Sequence, residues 1–139
     1  MFIVINLRIS GIGLDFQDIT EQLGISPIKV GKKGDIISRQ KYRMPDTVLQ
    51  EDSWLAEQKV DDDEELGVVL EDFVMKLQLS SDYLRSLAKE HHITVWISKY
   101  LDDVQGNIHI PATVINAVNN IGATLDCSMM LLENFCDSL

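Results

Sequence analysis

The sequence predicts an α+β domain of ferredoxin-like type: two βαβ halves around one antiparallel sheet, with a helical pair inserted between the halves. Three observations carry that expectation. Apolar residues alternate at Ile3, Ile5, Leu7 and Ile9; a strand followed by a glycine-terminated helix occurs near both ends of the chain; and residues 62 to 91 between them have the apolar spacing of helices. The 139 residues form one expected domain, 1–139, long enough to bury roughly two-thirds of the unfolded surface.

Taken in order, Phe2 to Ile9 reads as a strand with one buried side, since Asn6 and Arg8 fall on the face opposite the isoleucines. Gly11 and Gly13 supply a turn, Asp15 an N-cap with Asp18 three residues on, and a helix runs to Leu23 with Phe16, Ile19 and Leu23 on one stripe. Gly24 stands in the C′ position and Pro27 blocks continuation. Ile28–Val30, Asp35–Lys41 and Val48–Glu57 read as short strands, separated by the turns Lys33-Gly34 and Met44-Pro45-Asp46. Their weak alternation predicts an edge hairpin or a ruffled, mobile ribbon, its lysines and arginines blunting the edge.

The longest helix opens on Asp61-Asp62-Asp63-Glu64-Glu65 and turns Leu66, Val69, Leu70, Phe73 and Leu77 inward. Ser80 or Ser81 caps a second helix, with Tyr83, Leu84, Leu87 and Ala88 inward, ending near His91. Ile93–Leu101 is a strand and Ile108–Ile110 a short strand or extended approach; Pro111 starts a helix that buries Val114, Ile115, Val118 and Ile121 and ends at Gly122. Ala123, Leu125, Cys127, Met129 and Leu131 alternate along a last strand.

Composition removes several function classes. Cys127 and Cys136 form neither a disulfide framework nor a metal knuckle, which suits a reducing compartment. The apolar start has no basic region before it and no cleavage site after it, and no stretch approaches the roughly twenty apolar residues of a membrane span, so a cytoplasmic location is expected. The net charge is −10 and unevenly placed. Lys29, Lys32, Lys33, Arg39, Lys41 and Arg43 against Asp35 give a local +5, whereas residues 46 to 72 carry eleven acids against Lys59, a local −10. That balance disfavours nucleic acid and anionic membranes and favours a basic protein partner.

Motifs with chemistry are scarce. Gly11-Ile12-Gly13-Leu14-Asp15-Phe16 sits where a dinucleotide loop would, but Phe16 replaces the third glycine, and Asp15 and Asp18 would repel a phosphate. Gly31-Lys32-Lys33-Gly34 is too short for a phosphate loop, and the acids at 61–65 are consecutive, unlike the alternating ligands of a calcium loop. His91 and His92 point to different sides, and His109, with Asp102 and Asp103 near it in sequence, has no nucleophile in a recognisable arrangement. A non-enzymatic chain without cofactor or metal is therefore expected. One binding feature stands out: Thr94, Trp96, Ser98 and Tyr100 share a sheet face with Asn6, Arg8, Asp126 and Ser128 if Val95 and Ile97 face the helices. The alternative is that the two aromatics merely cover the sheet edge or pack under residues 45 to 60.

Ile9-Ser10-Gly11, Leu14-Asp15, Ile19-Thr20, Leu23-Gly24-Ile25-Ser26-Pro27 and Lys33-Gly34-Asp35 together resemble the opening of the bacterial domain-of-unknown-function family 4279. Trp54, the acidic-start helix and the C-terminal helix-Gly-strand unit extend the likeness over most of the chain. The resemblance implies a small cytosolic bacterial domain and brings no catalytic residues with it. The resulting expectation is a protein-binding domain, more sharply an immunity protein that covers a basic nuclease-type toxin with the acidic surface of residues 46 to 72, Asp61, Asp62, Asp63, Glu64 and Glu65 foremost. The alternative is a small-molecule or peptide sensor that uses Trp96, Tyr100 and Arg8.

Overall fold

A computed structural model describes residues 2–39, 42–61, 63–102 and 106–132, with 63–65 described by backbone alone. Its elements are β1 (Phe2–Gly11), α1 (Phe16–Leu23), β2 (Lys29–Gly31), β3 (Ile36–Ile37), β4 (Thr47–Val48), β5 (Asp52–Val60), α2 (Asp63–Gln78), α3 (Ser81–Ala88), β6 (His92–Leu101), α4 (Ala112–Asn120) and β7 (Thr124–Leu131). The class is mixed α+β, with a five-stranded sheet in the order β2-β5-β1-β6-β7 and a separate β3-β4 ribbon.

The alternation in β1 fixes which way the sheet faces. Ile3, Ile5, Leu7 and Ile9 are fully buried and form one cluster with Ile19 of α1, Leu70 and Leu77 of α2, Leu84 of α3 and Val114 of α4. All four helices therefore lie on that side, and each fully buried isoleucine or leucine there contributes about 1.5–3 kcal/mol. The other side, with Asn6 and Arg8, carries no helix among the described residues.

Local punctuation works as the sequence predicts in α1 and at the end of α4. The Asp15 carboxylate accepts the Asp18 N–H at 3.1 Å, and Gly24 takes the left-handed conformation (φ 65°) with its N–H on the Thr20 carbonyl. Gly122, at φ 76°, ends the α4 region in the same way. Ser80 is the residue before α3, but its hydroxyl donates to the Gln22 carbonyl at 2.8 Å and so ties the α2–α3 junction to the end of α1.

Three expectations need correction. The sheet is not wholly antiparallel: β6 and β7 are parallel neighbours joined through α4, Ile97 standing opposite Cys127. In a ferredoxin-like half another strand would lie between the two strands of the βαβ unit. Next, β5 is an interior strand rather than part of an edge ribbon, because it pairs with β1 from Ile3/Val60 to Gly11/Asp52 and with β2 on its other side. Trp54 and Ala56, buried under the helices, hold it there. Finally, Ile108–Ile110 forms no strand, though Ile108 and Ile110 pack against the core. The hairpin expectation fits only β3-β4, a ribbon of two residue pairs, Ile36/Val48 and Ile37/Thr47.

Candidate functional site

The strand-turn-helix junction that invites a phosphate is occupied by the protein's own carboxylate. Asp52, buried at the start of β5, accepts the N–H groups of Gly13 (3.1 Å) and Leu14 (3.0 Å) through Oδ2 and that of Lys33 (2.8 Å) through Oδ1. The Lys33 and Leu14 bonds hold its pKa below the usual carboxylate value, against the opposing effect of burial; Gly13 and the Lys32 charge add to the lowering. Three segments, the β1–α1 turn, the β2–β3 turn and β5, are thereby joined at one side chain. The charge pattern assigns Asp52 to an acidic surface, and the structure removes it from there.

The helix-free sheet face carries the more accommodating site. Register places Asn6 between Trp96 and Glu57, Arg8 between Thr94 and Leu55, and Ser10 between His92 and Ser53. Above them the ribbon folds back. Gly34 N–H donates to the Leu49 carbonyl and Leu49 N–H to the Asp35 carbonyl, both at 2.9 Å, while Asp35 Oδ2 accepts the Lys32 N–H at 2.8 Å. Leu49 in turn lies over Gly31 so closely that a Cβ on Gly31 would come 2.5 Å from Leu49 Cδ1. Sheet and ribbon enclose a cavity of about 500 Å³, with Asn6, Arg8, Ser53 and Leu55 on the floor, Trp96 beside them, and Ile36, Ile37 and Leu49 on the ribbon side.

Trp96, Arg8 and Lys29 are exposed side chains in it. Trp96 is 41% exposed, and its ring is oriented by Nε1–H donating to Ser128 Oγ at 3.2 Å, a hydroxyl that donates to Ser98 Oγ at 3.1 Å. Arg8 is exposed and has no ion pair or hydrogen bond among the described residues. The Oδ1 atom of Asn6, the residue paired with Trp96 and two before Arg8, is buried without a hydrogen-bond partner among the described residues.

The expected aromatic face divides into two parts. Trp96 and Arg8 line the cavity; Tyr100 does not. Tyr100 stacks on Phe2 with ring centroids 4.5 Å apart, and Lys59 stands 4.6 Å over the Phe2 ring while lying 3.9 Å from Asp61. Tyr100 thus belongs with Asp61, at the other end of the sheet. Asp61 is exposed; Asp62 lies outside the described residues, as do the side chains of Asp63, Glu64 and Glu65, whose backbone forms the first turn of α2. Asp46, Glu57, Glu71 and Asp72 are also exposed, and Glu51 is half-buried.

Other candidate groups serve structure. His91 packs over Gly11, His92 begins β6 on the exposed side, and His109 is exposed; Asp103 and Cys136 lie outside the described residues. Cys127 is exposed on β7, and partial burial, with Asp126 beside it, pushes its thiol pKa up, away from reactive thiolate character. No group of three potential metal ligands occurs among the described residues, and no helix among them is long and apolar enough to cross a membrane. The signal for Asp52 was in the sequence only as an acid preceding a strand; the signal for the cavity, the apolar residues at 36, 37 and 49 opposite Arg8, needs the register to be seen.

No curated protein and no solved structure matches the chain. A family model does, over residues 2–132, and the chain therefore belongs to the family described as a domain of unknown function, DUF4279.

Proposed function

We propose that this protein is a non-enzymatic binding domain whose ligand, a peptide segment or small molecule, lies on the helix-free sheet face between Trp96, Arg8 and the β3-β4 ribbon. The observation that supports this reading is the cavity of about 500 Å³ itself, lined by an apolar ribbon wall and containing one oriented tryptophan and one arginine without an ion pair or hydrogen bond among the described residues. Its size falls within the range of small-molecule and short-peptide sites, and tryptophan with arginine is the pair most often found at binding hot spots. A thermal-shift screen of metabolite and peptide libraries, run on the wild type and on Trp96→Ala, tests it. A ligand well above its dissociation constant raises the wild-type midpoint by an amount equivalent to a few kcal/mol and leaves the variant unmoved. Ligands that shift both proteins equally would place binding elsewhere.

A second reading, toxin neutralisation in a bacterial cytoplasm, is supported by the exposed acids Glu57, Asp61, Glu71 and Asp72 on a chain of net charge −10. Reversing the charges from Asp61 to Glu65 abolishes inhibition of a basic toxin at low salt if that reading holds. A ferredoxin-like relationship is proposed only for the first half, where β1 and β2 run parallel on either side of β5.

A further inference from the structure

The binding reading leaves the ligand's chemistry open, and the charges around the cavity narrow it. The surroundings of the cavity combine two properties. One is apolar exposure: Ile28, Val30, Ile36, Met44 and Val48 are each at least 44% exposed, and all lie in β2, the ribbon or their immediate flanks. The other is unpaired positive charge. Arg8 and Lys29 line the cavity, and Lys33, Arg39 and Arg43 follow in the ribbon region; none has an ion-pair partner among the described residues.

The acids of this region are engaged by backbone. Asp35 accepts from the Lys32 N–H, Asp46 from the Arg39 N–H at 3.3 Å, and Asp52 from Lys33 and the β1–α1 turn. Glu57 and Asp126 share the open face, paired with Asn6 and Trp96, but neither lines the cavity. Among the residues that line the cavity, Arg8 and Lys29 therefore stand against a single acid, Asp35, on a protein whose net charge is −10.

We infer, on the reading that this face is the binding site, that its occupant is an extended acidic peptide segment in which carboxylates alternate with apolar side chains. The alternation matches the period of a strand: one side of the peptide meets Ile36, Ile37 and Leu49 of the ribbon, and the carboxylates on the other side reach Arg8 and Lys29 on the sheet. Arginine binds a carboxylate through two parallel N–H bonds, and Trp96 offers its ring to an apolar residue. A concave site with Arg8 on its floor suits a chain segment better than a flat lipid surface, which would reach the rim and not the floor.

The two tryptophans supply the readout. Trp54 is fully buried beneath the helices and Trp96 lines the cavity, so a fluorescence change present in the wild type and lost in Trp96→Phe reports the site alone. The probes are an octapeptide alternating glutamate with leucine and ending in a free carboxylate, its lysine counterpart with an amidated end, vesicles containing anionic lipid, and a single-stranded oligonucleotide. The glutamate peptide is expected to change Trp96 emission, to lose roughly tenfold in affinity between about 20 and 200 mM salt, and to lose about fivefold or more in Arg8→Ala and in Lys29→Ala. Both variants change exposed side chains, and circular dichroism with the Trp54 signal verifies that they are folded. Equal or tighter binding of the lysine peptide, vesicles or oligonucleotide overturns the acidic-peptide inference while leaving the sheet-face site standing. If no probe and no library member alters Trp96 emission, both readings fall.

Discussion

One carboxylate organises the residue scale. Asp52 neutralises three N–H groups that would otherwise be left to solvent in two turns, so Asp52→Asn, which keeps the shape but presents a single oxygen acceptor, lowers the urea midpoint. The pH dependence gives a second check. Because the folded-state pKa is lowered, the contribution of Asp52 is complete above the ordinary carboxylate value and is lost as pH falls through the folded pKa, below about 4. The wild type is expected to lose more stability on acidification than Asp52→Asn, and parallel urea titrations at stepped pH measure the difference. Gly11 is fixed by a different constraint. Its φ is 154° and a Cβ there would stand 2.3 Å from His91 Nδ1, so Gly11→Ala destabilises by about 1–3 kcal/mol in thermal unfolding. Neither role shows in the sequence, where Asp52 is one of the eleven acids between residues 46 and 72 and Gly11 one glycine of a turn.

Elements were legible where a period and a cap agreed. The β1 alternation, the Asp15 and Gly24 ends of α1, and the Leu66, Leu70, Phe73 and Leu77 stripe of α2 all occur as the spacing predicts. Strand direction was not legible: Leu125, Cys127 and Met129 alternate identically whether β7 runs with or against β6, and the α4 crossover favours a parallel pair without saying whether another strand intervenes. Residues 28–60 misled because β5 alternates through Asp52, Trp54, Ala56 and Val60, a set containing an acid and an alanine. The ribbon beside it has two residue pairs and an exposed Ile36, so its strands are held by few contacts. Hydrogen exchange at Ile36, Ile37, Thr47 and Val48 is therefore expected to be orders of magnitude faster than at Ile5 or Leu7, and to slow when the cavity is filled. Uniform protection across ribbon and sheet would show that the ribbon opens only with the whole domain.

At the scale of the molecule, the ribbon side gathers Arg8, Lys29, Lys33, Arg39 and Arg43, while Glu57, Asp61, Glu71 and Asp72 are exposed on β5, just after it and on α2. One contact between helices makes stability depend on alkaline pH. Tyr83 on α3 donates to Asp18 Oδ2 on α1 at 3.2 Å, and burial, aided by Asp18, pushes its pKa up to about 12. A raised pKa means stability that is complete below the unfolded value near 10 and is lost as pH rises from there toward 12. Tyr83→Phe is expected to lower stability at neutral pH slightly and to flatten that alkaline decline in chemical-denaturation curves.

The strand order also bears on how the chain is made. β1 is synthesised before the other strands of the sheet, yet it lies at its centre, pairing Ile5 with Gln58 on one side and with Ile97 on the other. Its second edge stays open until β6 has been synthesised, so a nascent chain halted within α2 or α3 presents an uncovered, isoleucine-rich strand to chaperones and to neighbouring nascent copies.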